Sequence, residues 1–154
     1  MQRIVTPQDQ ARNYELSLPI QHRRATGTVY TPGFIVELML DLIGYTSEGD
    51  LAGLSLLDPA CGCGVFLIHA VRRLAAAMAA RGAPLSTSHG GRAFARAVES
   101  CIHGSDIDAS ACELARNAVR HEVQQLTTGQ ALDESFFSGN VLVADFLKVP
   151  PQQD

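Results

Sequence analysis

The chain has 154 residues, 46% hydrophobic and 18% charged, enough apolar material for one buried core and too much for a disordered segment. A formal net charge of −4 speaks against a surface that grips DNA unaided, because phosphate neutralisation comes from lysine and arginine. No apolar run approaches the roughly 20 residues that span a bilayer, and the polar start, Met1 to Gln10, carries no secretory h-region.

Four cysteines without regular spacing fit a reducing compartment, so the cytoplasm is the expected location and no membrane is expected as a partner. Residues 1–27 form a polar segment, with a short helix expected around Pro7–Leu16 and a basic cluster at His22, Arg23 and Arg24. That cluster reads as solvated surface or as a phosphate contact. The main domain is expected over 28–148, with 149–154 as linker. Tyr30-Thr31-Pro32-Gly33 precedes Phe34, Ile35, Leu38, Met39, Leu42 and Ile43 at helical spacing, with Thr31 placed to cap and Pro32 in the first turn.

Leu54–Leu57 reads as a buried strand ending on Asp58-Pro59 and running into Ala60-Cys61-Gly62-Cys63-Gly64. A helix follows from Val65 to Arg81, with Phe66, Leu67, Ala70, Val71, Leu74 and Met78 along one side, stopped by Gly82 and Pro84. Ala83–Gly91 reads as a loop and Arg92–Ser100 as a short basic helix. Cys101–Asp106 is the second strand. Asp108 or Ser110 can cap the next helix, and Ser110 with Glu113 matches a capping box. That helix turns Leu114, Ala115, Ala118 and Val119 inward and fades near Leu126. After a loop over 127–139, Val141–Ala144 is the third strand, ending on Asp145.

Strands alternating with helices imply right-handed crossovers and a parallel sheet, an α/β architecture whose ligand site gathers at the carboxyl ends of the strands. Asp58, Asp106 and Asp145 all fall there. Gly62 and Gly64 let the backbone bend tightly toward a ligand, and the helix starting at Val65 offers unpaired N–H groups to an anion. That anion is a dinucleotide pyrophosphate or a methionine carboxylate. A dinucleotide fingerprint would need glycine where Leu67 stands, and Asp58 can meet a ligand ammonium. S-adenosyl-L-methionine suits all three acids: its amino-acid end near Asp58, its ribose hydroxyls on Asp106, its adenine amine on Asp145. Ile107 can lie against the adenine, and Phe146 can stack on it.

Leu57-Asp58-Pro59-Ala60-Cys61-Gly62-Cys63-Gly64-Val65-Phe66-Leu67 resembles the D-P-A-C-G-S-G-x-F-L motif of N6-adenine DNA methyltransferases of the gamma order, with Cys63 where serine is usual. Gly27–Pro32 resembles the family's Y-T-P motif, Gly104-Ser105-Asp106-Ile107-Asp108 its ribose motif, and Asp145-Phe146-Leu147 its adenine motif. The resemblance covers roughly residues 20–148. It implies a partial Rossmann-like class I methyltransferase fold of three parallel strands with flanking helices, a restriction-modification context and DNA as substrate. It also implies cofactor contacts at Asp58, Ala60, Cys61, Gly62, Gly64 and Phe66, with Tyr30, Thr31 and Pro32 holding the methionine end.

The family's catalytic N-P-P-Y or N-P-P-F is expected downstream of Asp145, and Val149-Pro150-Pro151-Gln152 lacks both the asparagine and the aromatic. No catalytic residue is therefore expected here, and this chain alone is expected to bind cofactor weakly or not at all and to be inactive. In this family a fourth strand, carrying the catalytic motif, flanks the first. Without it the strand Leu54–Leu57 keeps an open edge, from which self-association or a catalytic partner is expected. An RNA or protein-glutamine methyltransferase, a non-catalytic subunit and a nicotinamide oxidoreductase are the competing readings. Cys61 and Cys63, even with His69 and His103, lack the second ligand pair of a zinc site.

Overall fold

The computed structural model describes residues 7–21, 23, 31–128 and 131–148. Three parallel strands, β1 (Leu56–Asp58), β2 (Ile102–Asp106) and β3 (Val141–Val143), stand in that order. Leu56 pairs with Ile102, Leu57 with His103 and Asp58 with Gly104, and β3 continues with Val141 on Gly104 and Val143 on Asp106. The helices are α1 (Pro7–Ser17), α2 (Gly33–Leu42), α3 (Val65–Ala80), α4 (Ser88–Cys101) and α5 (Ala109–Leu126). Three parallel strands flanked by helices form the partial Rossmann-like arrangement expected.

The core forms where strand and helix periods meet. Side chains alternate across a strand, so Leu56, Ile102 and Val141 share the buried face of the sheet. Leu67, Ala70, Val71 and Leu74 recur at helical spacing on α3 and are fully buried. Each leucine or isoleucine so buried contributes about 1.5–3 kcal/mol. α3, α4 and α5 all touch β2, while α1 packs on α5 and α2 on α3. Leu57 and Leu142 point the other way and are 48% and 57% exposed. Among the described residues β1 pairs on one side only, as expected of an edge.

Several element ends differ from expectation. β1 begins at Leu56, because the chain first makes a 3-10 turn at Leu51–Gly53 that leaves Leu54 exposed. Cys101 closes α4 instead of opening β2, and its thiol donates to the Ala52 carbonyl. β3 stops at Val143, although the Ala144 N–H still donates to the Asp106 carbonyl at 2.9 Å. Pro32, not Thr31, is the N-cap of α2, with no side-chain cap bond; its carbonyl accepts from the Ile35 and Val36 N–H groups. α4 starts at Ser88, within the stretch read as loop, because Thr87 caps it by accepting from the Gly90 N–H at 3.1 Å. Asp108 caps α5, and the Ser110–Glu113 box does not form: the Asp108 carboxylate already holds the Ser110 and Ala111 N–H groups.

α3 ends at Ala80, and its stop at Gly82 is as expected. Gly82 takes a φ of 82°, its N–H donates to the Ala79 carbonyl and the Ala83 N–H to the Met78 carbonyl. Those two bonds satisfy carbonyls that the helix end leaves unpaired. Tyr30, His22, Arg24 and the linker 149–154 lie outside the described residues.

Candidate functional site

The turn after β1 is braced from several directions. Asp58 Oδ1 accepts from the Ala60 N–H at 3.1 Å. The Cys61 N–H donates to the Ser105 carbonyl at 2.9 Å, and the Ser105 hydroxyl to the Pro59 carbonyl at 3.1 Å. The first part of the loop is therefore stitched twice to Ser105 of β2. Gly62 and Gly64 take φ values of 49° and 85°, a left-handed region that side chains rarely adopt. Gly64 has a second reason to lack a side chain: a Cβ there would lie 2.9 Å from Cα and Cβ of Ala115 on α5. As the N-cap of α3 without a side-chain cap bond, it leaves the helix's first N–H groups to other acceptors.

Asp106 ends β2 and reaches back to this turn. Its Oδ2 accepts from the Gly62 N–H at 2.8 Å and its Oδ1 from the Asp108 N–H at 2.9 Å. A carboxylate oxygen has two lone-pair sites, so each keeps one for a ligand hydroxyl while the backbone bonds hold the side chain's orientation. Burial raises the pKa of Asp58; the Ala60 N–H opposes that, and the nearby Asp106 charge adds to it. Burial likewise pushes the Cys61 thiol up, with the Asp58 charge next, which leaves it neutral and unreactive.

A cavity of about 350 Å³ opens over the turn. It brings together Thr31, Asp58, Ala60, Cys61, Gly62 and Phe66, all singled out from sequence. Its volume falls in the range of small-molecule sites, and it combines apolar walls with one carboxylate. Val36, Met39 and Leu57 also line it, though sequence reasoning missed them. Their only sequence signal is helix or strand periodicity, which reads as core. Pro32 and Gly64 flank the cavity without lining it.

Asp106, Ile107, Asp145 and Phe146 also lie outside that lining, although Asp106 is bonded to Gly62 within it. Ile107 is 54% exposed beside Asp106, and Phe146 is 46% exposed in the 3-10 turn Phe146–Lys148. Asp145 accepts from the Leu147 N–H at 3.2 Å and pairs with Lys148 at 2.9 Å. The Lys148 bond holds its carboxyl below the usual aspartate range.

Sequence reasoning missed two further features. Tyr14 on α1 donates to Asp108, in the turn that follows β2. On the other side a polar clamp docks α2 onto α3: Glu37 accepts from Arg73 and hydrogen-bonds with buried His69, while Arg73 also donates to the Tyr45 carbonyl and pairs with Asp41. Burial works against the Glu37 charge, but the His69 and Arg73 bonds outweigh it and hold its carboxyl below the usual range. Among the described residues no group of three His, Cys, Asp or Glu side chains is placed to hold a metal ion, and no helix is long and apolar enough to cross a membrane.

A family profile described as N-6 DNA Methylase matches residues 13–144. The chain is 32% identical over 124 residues to the Type II methyltransferase M.XhoI of Xanthomonas vasicola, an alignment covering 80% of this chain and 22% of that protein. It is 34% identical over 128 residues to the Type II methyltransferase M.BstVI of Geobacillus stearothermophilus, covering 80% and 21%. The chain thus spans about a fifth of the length of these curated relatives.

Proposed function

The chain belongs to the N-6 DNA methylase family, and we propose that it is the S-adenosylmethionine-binding part of an enzyme that methylates adenine N6 in DNA. The observation that carries this reading is the cavity at the end of β1, where Asp58 lies beside a glycine turn and the N-terminus of α3. An ammonium and a carboxylate on one ligand match that pairing of a carboxylate with a helix N-terminus. Asp106, held by two backbone N–H groups, adds acceptors suited to a ribose diol.

The donor set therefore fits the cofactor. Asp58 would hold the ammonium, the first turn of α3 the carboxylate, Asp106 the ribose, and Ile107, Asp145 and Phe146 the adenine. When bound, S-adenosylmethionine supplies an electrophilic methyl group. The residues of this chain bind and orient it; the groups that hold the target base belong to an N-P-P-Y or N-P-P-F motif that the 154 residues do not contain. The unit that binds cofactor is residues 28–148, and four cysteines present as thiols fit a cytoplasmic setting.

The test is transfer of tritiated methyl to DNA, with digestion to nucleosides. Co-expressed with the remainder of a close family enzyme, the chain is expected to yield N6-methyladenine. Alone it is expected to yield none. Label on RNA or on glutamine instead would replace the DNA reading.

A subunit role is favoured by one observation. Among the described residues the outer edge of β1 is unpaired, and Leu57 beside it is half exposed. Open edges recruit strands, so association with a second polypeptide, or with another copy, is expected through β1. A monodisperse monomer in sedimentation at micromolar concentration would contradict this.

A further inference from the structure

Helix α1 reaches the site through one side chain. Tyr14 Oη donates to Asp108 Oδ2 at 2.6 Å, joining positions 94 residues apart. Asp108 Oδ1 meanwhile accepts from the Ser110 and Ala111 N–H groups at 2.9 and 3.3 Å. The tyrosine therefore holds the carboxylate oxygen that the helix cap does not use. The Asp108 N–H donates to Asp106 Oδ1, and Asp106 Oδ2 accepts from the Gly62 N–H. Three hydrogen bonds, joined through the Asp108 side chain and backbone and the Asp106 carboxylate, connect α1 to the glycine turn.

The anchor of this chain of bonds is firm. Ala11, one turn before Tyr14, is buried in the core, and α1 packs along α5. The Asp108 hydrogen bond, followed by burial, raises the phenol's pKa, so Tyr14 stays protonated and acts as the donor. Hydrogen bonds to a charged acceptor are stronger than neutral ones and hold geometry more tightly.

We infer that Tyr14 is a positioning residue for the cofactor site: through Asp108 it orients the Asp106-Ile107-Asp108 loop and, with it, the acceptor oxygens offered to the ribose. The inference rests on the cofactor reading of Asp106. It makes α1 an outside brace for the cofactor-binding unit, although its polar sequence reads as a surface segment. Tyr14 does not act through the α5 cap, since Oδ1 makes those bonds without it.

The test compares the full chain with Tyr14→Phe, Asp108→Asn and the double variant. S-adenosylmethionine affinity is read by calorimetry, and exchange of individual amides is read without ligand. Each single variant is expected to bind about three- to tenfold more weakly, as for loss of one charged hydrogen bond transmitted at second hand. The double variant is expected to be no weaker than the weaker single, because both break the same connection. The Gly62 and Asp108 amides should exchange faster while the α3 interior keeps its protection.

Parent-like affinity in both single variants, with unchanged exchange at Gly62 and Asp108, would overturn the inference. So would a loss of affinity that comes with lost protection throughout the chain. If Tyr14→Phe does not fold, Asp108→Asn decides by the same two readouts. If the parent itself fails to bind, the cofactor reading fails, and exchange at Gly62 and Asp108 still decides whether Tyr14 orients the loop.

Discussion

The loops after β1 and β2 are tied to each other through side chains, whereas at the end of β3 the Ala144 N–H reaches Asp106 but the Asp145 side chain bonds within its own turn. The Asp106 carboxylate accepts from the Gly62 and Asp108 N–H groups of two different loops, Asp58 accepts from Ala60 within its own turn, and Gly64 is pressed against α5. At β3, Asp145 bonds only as far as Leu147 and Lys148 within the same turn, and Leu147 is 94% exposed. The difference shows which part of the proposed site is built in advance. Long-range bonds and close packing preform the proposed methionine and ribose ends, while the proposed adenine end is held by short-range bonds alone.

Substitutions on the two sides should therefore differ steeply. The largest effect is expected from Gly64→Ala, which forces a Cβ into a left-handed backbone and against Ala115. It should cost about 2–5 kcal/mol in urea unfolding, the range for backbone strain combined with overpacking. Asp106→Ala comes next. It leaves the Gly62 and Asp108 N–H groups without their acceptor and should weaken S-adenosylmethionine binding about a hundredfold in calorimetry.

Asp58 offers a pH test of intermediate size. Its pKa is raised from 3.8 by burial, with Asp106 adding to the shift against the Ala60 N–H. An acid raised on folding binds its proton more tightly in the native state, so this group favours the folded chain below 3.8 and loses that contribution as pH rises through the raised value. Cofactor binding runs the opposite way, since the ammonium needs the carboxylate. Affinity should begin to fall on acidification while ordinary aspartates are still charged, and Asp58→Asn should be weaker and flat over that range. A parent affinity that is level down to pH 4, about the ordinary aspartate value, would remove Asp58 from the site. The smallest effect is expected at β3: Lys148→Ala breaks an exposed pair and should leave the melting temperature unchanged, as is usual for surface ion pairs. A clear drop would mean that this end is more tightly built than its contacts show.

The acids and glycines of the site were legible because turn chemistry and strand-end placement are local. What escaped was set by tertiary contact. Gly90 and Gly91 read as loop, yet they lie inside α4, where a Cβ on Gly90 would sit 2.2 Å from the Pro84 carbonyl oxygen. Asp108 and Ser110 both suit a cap, and only the structure shows the aspartate taking two N–H groups at once. Leu54 belonged to the right apolar run but not to the strand, since nothing local marks the 3-10 turn before it. Phe34 and Leu42 fit a helix, while the spacing alone did not tell that they would stand 72% and 77% exposed with Val36 and Leu40 buried. The Tyr14–Asp108 bond spans 94 positions and has no local signature at all.

The central claim is that the ends of β1 and β2 form a site for S-adenosylmethionine, and calorimetric titration of the folded chain tests it most directly, with NAD as the control ligand. The expected result is saturable binding of S-adenosylmethionine that falls about a hundredfold in Asp106→Ala, and no binding of NAD. Binding of NAD, or S-adenosylmethionine affinity unchanged in Asp106→Ala, would contradict it.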